Sequence, residues 1–128
     1  SQAEVALLPL ADNLFNRCKS DLKFIEAGAA GCAVLASSTL YHHTVRDGDT
    51  GILVPEPGGF GPALLACLND RARTQAIGQA ARAYVQAERM TAQQVQRRYD
   101  WYRELWENRH ETTPKLVAYL QDIIKAAG

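Results

Sequence analysis

The sequence predicts an α/β fold: three parallel strands, forming half of a doubly wound sheet, followed by a helical C-terminal part. Two observations carry this reading. Three short, continuous apolar runs stand in the first half of the chain, Val5 to Pro9, Ala33 to Ala36 and Gly51 to Val54. Each is too short for a helix and lacks the alternation of a half-solvated strand, as expected where helices cover both faces of a sheet. Between and after these runs come segments with apolar residues at helical spacing, bounded by residues that start and stop helices. Strands alternating with helices are the pattern of a parallel sheet.

Taken in order, Val5 to Pro9 is the first strand, and Ala11 to Lys19 reads as a polar loop. Ser20 is placed to cap a helix running to about Ala30, with Asp21 in the first turn, where negative charge suits the helix dipole. Gly31 is placed to end that helix. The second strand, Ala33 to Ala36, leads to a loop with a short helical piece near Leu40 to Arg46. Asp47-Gly48-Asp49-Thr50-Gly51 makes a turn, and the third strand closes at Pro55. Helices then follow one another. The first covers Phe60 to Leu68, and the second, capped by Asp70, runs to about Ala87. The third has the strongest start signal in the chain: Thr91 and Gln94 as a capping box, Met90 and Val95 as a hydrophobic staple. Val95, Tyr99, Tyr102 and Trp106 recur at four- and three-residue steps, which predicts one buried stripe. The last helix is expected to start at Thr113-Pro114, with Leu116, Leu120, Ile123 and Ile124 as its apolar face. Residues 1–110 thus read as a partial domain, and residues 111–128 as a helix packing on it or on a partner.

The totals narrow the function classes. A chain of 128 residues is long enough to bury a core without disulfides or metal. Fourteen basic residues balance fourteen acidic ones, so no overall field draws the chain to nucleic acid or to an anionic membrane. No basic stripe with interleaved aromatics points to nucleic acid. Cys18, Cys32 and Cys67 are odd in number and widely spaced, with no Cys-x-x-Cys pair, so neither a disulfide framework nor a zinc site is indicated and a reducing cytoplasm is the expected compartment. No apolar run approaches the roughly 20 residues of a membrane span. The start at Ser1, close to the first strand, is expected of a piece excised from a longer enzyme. Three strands are half of a doubly wound sheet, and an unpaired edge invites another strand, so the chain alone is expected to form a homodimer or exchange an element.

The chemistry is sought at Lys19-Ser20-Asp21-Leu22-Lys23-Phe24-Ile25-Glu26. This segment follows a strand and a loop, so its amino end lies near the carboxyl edge of the sheet, where ligands bind in open α/β folds. The free amides of Ser20 to Lys23 make an anion site aided by the helix dipole, Lys19 adds a positive charge, and Glu26 is a carboxylate suited to adjacent hydroxyls. The plain alternative is that Lys23 and Glu26 form a surface ion pair of less than ~1 kcal/mol. His42 and His43 are adjacent and diverge on a helix, which makes them poor joint metal ligands. They read as loop residues that follow a strand's carboxyl end. His110 reads as lying near a helix end where a positive charge is favourable.

The run Asn16-x-x-Lys19-Ser20-x-Leu22-Lys23-x-x-Glu26-Ala27-x-Ala29-x-Gly31-x-Ala33-Val34-Leu35-Ala36 resembles the core signature of the retaining GT-B glycosyltransferases of the "glycosyl transferases group 1" family. Val45-x-Asp47-Gly48-x-Thr50-Gly51-x-Leu53-Val54 resembles the next landmark, at the right distance. The likeness covers about residues 4 to 108. It implies a Rossmann-like half of a GT-B C-terminal domain, from an enzyme that transfers sugar from a nucleotide-diphosphate sugar to an acceptor. Glu26 matches the second Glu of the family's Glu-(seven residues)-Glu motif, which holds the nucleotide's ribose. The first Glu, near the donor sugar, is replaced here by Cys18. Lys19, Ser20, Asp21 and Leu22 correspond to the segment whose amides meet the diphosphate. The family's main diphosphate-binding Arg and Lys, and its acceptor domain, lie upstream. Family members typically need no metal, and none is expected, nor any cofactor beyond the nucleotide sugar itself. Two other readings remain: a non-catalytic binding or assembly domain derived from a transferase, and a nucleotide-sugar epimerase of the same fold.

Overall fold

The computed structural model describes residues 3–127. The chain forms two compact units, one ending at Met90 and the other beginning at Thr91. The first holds an α/β sandwich whose sheet has three parallel strands, β1 (Val5–Leu8), β2 (Ala33–Ser37) and β3 (Ile52–Val54), in the order β1-β2-β3. Val5 pairs with Ala33 and Leu8 with Ala36 on one side of β2, and Leu35 pairs with Ile52 and Ser37 with Val54 on the other. Every residue of β2 is buried. The expectation that all three runs are buried on both faces holds for β2 alone. The outer strands β1 and β3 are only partly covered, because each has a neighbour on one side only.

Helices bracket β2. Between β1 and β2 lie a short helix α1 (Leu14–Arg17) and helix α2 (Leu22–Ala29); α3 (Ser38–Tyr41) follows β2 directly. Past β3 and a 3-10 turn at Pro57–Gly59 come α4 (Phe60–Asn69) and α5 (Arg71–Tyr84), which passes into a π-helical turn at Val85–Arg89. Strand alternation splits the core. Val34 and Ala36 face a cluster with Phe24, Tyr41, Val45 and Ala81, while Leu35 faces Val54 and Cys67, with Phe60 and Leu64 packed around them. The sheet therefore has an apolar layer on each face.

Two glycines set how closely these layers approach. Gly31, at φ +78°, ends α2 as expected: its amide bonds the Gly28 carbonyl (2.8 Å) and that of Cys32 bonds Ala27 (3.0 Å), the paired bonds of a Schellman motif. Gly78 of α5 lies against the Gly31 backbone so tightly that a β-carbon there would come within 2.2 Å of the Gly31 carbonyl oxygen. Asp70 caps α5 as expected, accepting from the Arg73 amide at 3.0 Å. Cys32 and Cys67 are buried and Cys18 is exposed.

Several local expectations are corrected. The polar stretch from Ala11 to Lys19 is no plain loop, because α1 forms inside it: Asn13 caps α1 through the Asn16 amide (2.9 Å), and buried Asn16 donates to the Ala11 carbonyl (2.8 Å). Ser20 is not the cap of α2. Asp21 occupies that position without a capping bond, and its carboxylate is drawn to Arg89 instead.

The second unit comprises α6 (Thr91–Glu107) and α7 (Arg109–Ala127). Thr91 is itself helical in α6, so it does not stand before the helix as a cap. Val95, Tyr99, Tyr102 and Trp106 are exposed, not a buried stripe. Their periodicity marks an apolar face of α6 and does not by itself bury it. The last helix does not wait for Thr113-Pro114. Glu111 and Thr112 both close onto the Asn108 carbonyl at 3.0 Å, so the first turn forms upstream and Pro114 lies inside α7. His110 consequently sits in the opening turn of α7, just past the carboxyl end of α6. No described helix is long and apolar enough to cross a membrane.

Candidate functional site

The carboxyl ends of all three strands open onto one region, and hydrogen bonds from distant residues hold it. Leu10, just past β1, donates its amide to the Ser37 hydroxyl at the end of β2 (2.8 Å), which ties the two strand exits together. The Asn16 side chain anchors Ala11. Asp12 and Arg17 flank that anchored segment and meet as a fork: Nε to Oδ1 at 2.6 Å and Nη2 to Oδ2 at 2.7 Å. The Arg17 hydrogen bonds hold the Asp12 carboxyl below its usual range, and Asp12 in turn raises the Arg17 guanidinium.

Beside this pair is a polar cleft of about 450 Å³, lined by Asp12, Arg17, Ser38, Thr39, His42 and Pro55. Its walls come from the segments after β1, β2 and β3. The His42 Nδ1 lies 2.6 Å from the Ser38 carbonyl oxygen. A carbonyl only accepts, so Nδ1 carries the hydrogen, and in the neutral ring Nε2 keeps its lone pair. A second groove of about 350 Å³, lined mainly by Leu7, Pro9, Leu10, Pro57 and Phe60, lies nearby and is almost wholly apolar.

The segment singled out by sequence starts where the cleft wall ends. Cys18 is exposed in the turn that closes α1, its amide bonded to the Leu14 carbonyl (3.2 Å). The Lys19 ammonium sits over the Phe15 ring at 4.8 Å, directed back to α1. Ser20 is exposed. Leu22 is the first residue of α2 and half exposed. Phe24 is the first amide to close onto the helix, at the Asp21 carbonyl (2.9 Å), so those of Leu22 and Lys23 stand ahead of the ladder. Glu26, one turn along, is open to solvent and receives the Lys23 ammonium at 2.9 Å. The structure thus brings Cys18 to Leu22 together as one turn-to-helix segment. It sets Glu26 in the plain ion pair with Lys23, with no contact to Lys19.

Arg89 is the residue that sequence reasoning missed here. From the π-helical turn it grips Asp21 through both terminal nitrogens, at 2.8 and 3.0 Å, with Tyr84 at 3.5 Å. Both partners are largely buried, and the Asp21 bond raises the Arg89 guanidinium further above its ordinary value. Asp21 therefore does not present a free negative charge at the start of α2. No local spacing signals a pair 68 residues apart.

Buried Tyr41 lies close to the same helix start. Burial, then the Asp21 charge, raises its phenol above the ordinary value of 10, and Lys23 opposes the shift. A raised folded-state value makes the neutral phenol a source of stability that is complete below pH 10 and lost as pH climbs through the folded value. Urea unfolding at pH 9 and pH 11 is expected to show a steeper alkaline loss in the parent protein than in Tyr41→Phe; equal losses would remove Tyr41 as the cause.

Among the described residues, no three His, Cys, Asp or Glu side chains gather as a metal-holding group. No protein-family model, curated protein or solved structure matches the chain.

Proposed function

We propose that this chain is the donor-binding part of a glycosyltransferase that moves sugar from a nucleotide-diphosphate sugar to an acceptor, with the acceptor domain supplied by a preceding segment. The observation that supports this most is the start of α2: amides ahead of the helix ladder, between Lys19 and Lys23, beside a polar cleft at the carboxyl ends of parallel strands. Breaking the sugar–phosphate bond leaves negative charge on the departing diphosphate. Fixed amide donors and the positive helix end stabilise that charge without reorganising. Neutralisation of Asp21 by Arg89 keeps a repelling carboxylate out of the diphosphate's path. Glu26 accepts from the ribose hydroxyls. The surface pair with Lys23 holds it by no more than about 1 kcal/mol, so Lys23 is free to turn to phosphate when nucleotide arrives.

A thermal-shift panel of nucleoside diphosphates tests the reading. Stabilisation of about 2.7 kcal/mol is expected for a nucleotide present at a hundred times its dissociation constant. In the parent enzyme, Glu26→Ala is expected to weaken nucleotide binding about tenfold by calorimetry, equivalent to about 1.4 kcal/mol. Unchanged affinity would take Glu26 out of the site.

A further inference from the structure

We propose that the helical unit is a self-association surface: the charge-free face of α7 packs antiparallel against the same face of a second copy, centred on Leu120. The aromatic face of α6 joins it in a four-helix core. The inference is independent of the donor-binding reading, because it uses no residue of the first unit.

The sequence draws the face. In α7, Val117, Leu120 and Ile124 step by three and four residues, and Leu116 and Ile123 each stand one place ahead of that seam. At 3.6 residues per turn these five share one stripe, and Lys115, Asp122 and Lys125 fall on the other side of the helix. A seam widened by flanking apolar residues is the stripe of a bundle helix, which meets more than one neighbour. In α6, Val95, Tyr99, Tyr102 and Trp106 make a second seam. The five apolar residues of α7 are 46 to 71% exposed, and no described side chain of α6 or α7 is buried. Helices of 17 and 19 residues take most of their stability in water from a packed apolar face. This unit therefore needs cover.

Three observations choose a second copy as the cover. The stripe is a palindrome about Leu120: Leu116 and Val117 lie four and three residues before it, Ile123 and Ile124 three and four after it. A two-fold axis through Leu120 thus sets Leu116 and Val117 of each copy against Ile124 and Ile123 of the other, as an isologous contact requires. Charge agrees. The stripe offers no ionic group to an acidic or basic partner. An anionic lipid surface would want a Lys- and Arg-rich polar face, whereas Asp122 stands between the two lysines behind the stripe. Area agrees as well. With about 150–200 Å² for a large apolar side chain, the measured exposures leave roughly 500 Å² on the α7 stripe and about as much on the α6 seam. Their sum exceeds the roughly 800 Å² per partner of a standard stable interface.

Sedimentation equilibrium of the whole chain, from micromolar to millimolar concentration, tests this together with isotope-filtered NMR on mixed labelled and unlabelled copies. A reversible dimer is expected, with intermolecular NOEs from the Val117 methyls to those of Ile123 and Ile124. Those NOEs decide without any variant. Leu120→Glu should raise the dissociation constant at least about a hundredfold, because the two-fold axis puts the new carboxylate into one apolar core twice. Leu120→Ala should raise it by less, and Lys115→Gln, on the far side, should leave it unchanged. Unaltered amide shifts for the first unit would show that the variants read association and not unfolding. The proposal is overturned by a parent chain that stays monomeric, whether its α7 methyls show NOEs to the first unit or it co-sediments with phosphatidylglycerol vesicles. It is overturned equally by a dimer that Leu120→Glu leaves intact, or by intermolecular NOEs confined to the open border of β1.

Discussion

Gly78→Ala is expected to destabilise the first unit by about 3 kcal/mol or more, despite replacing glycine within a helix. Propensity alone favours the change by up to about 1 kcal/mol. Against it stands the added methyl, which would meet the Gly31 carbonyl oxygen at 2.2 Å, the Gly31 carbonyl carbon at 3.0 Å and the Ala33 amide at 3.2 Å. All three are backbone atoms, and none can swing aside as a side chain would. Gly31 itself holds a left-handed conformation that ends α2. Relief therefore requires α5 to lift from the junction of α2 and β2, which loosens packing around Ala81 and Val85 as well. Overpacking of this kind typically costs about 1–3 kcal/mol, and rigid backbone on every side puts this case at the upper end. Gly61→Ala in α4 is the control: its added methyl meets nothing within 4 Å, so it should be neutral or stabilise by up to about 1 kcal/mol. Urea midpoints for the two variants should move in opposite directions, or only that of Gly78→Ala should fall. A stable Gly78→Ala protein would mean that α5 does not rest on Gly31.

Phe24→Ala is expected to cost about 3–5 kcal/mol, a large share of the 5–15 kcal/mol that holds a typical domain together. Phe24 has no exposed surface and lies in the cluster with Val34, Ala36, Tyr41, Val45 and Ala81. Its ring also sits 6.1 Å from that of Tyr84. Removing it opens a cavity between α2 and the sheet, and with it the support that orients the start of α2. Loss of cooperativity in thermal unfolding is then expected, with weakening of the nucleotide binding proposed for this helix. A fall of less than 1 kcal/mol would show that α2 packs elsewhere.

The strands were legible because their signal is local: an apolar run such as Ala33 to Ala36 announces burial without reference to anything else. The end of α2 was legible for the same reason, since Gly31 carries the turn in its own backbone. α1 was hidden because Asn13 and Asn16 hold it by side-chain bonds to backbone, and both residues read as loop formers in isolation. The early start of α7 was hidden because Pro114 outweighs, in any local reading, the bonds that Glu111 and Thr112 make to Asn108. The face of Val95, Tyr99, Tyr102 and Trp106 was legible as apolar, but periodicity says nothing of what covers a face. The candidate site divides similarly. Lys19 to Glu26 lie in one segment and carry a motif. Asp12, Arg17, Ser38 and His42 form a cleft only because separate strands end at one level, and Arg89 joins Asp21 only through the fold.

The complete burial of β2 has one more consequence. Its peptide groups bond to β1 along one border and to β3 along the other, beneath apolar layers on both faces, so water reaches them only after a neighbouring strand comes away. β1 and β3, each open along an outer border, can fray without it. The loops that follow those two outer strands thus leave strands with an open border, while Ser38, Thr39 and His42 follow the strand that is covered throughout.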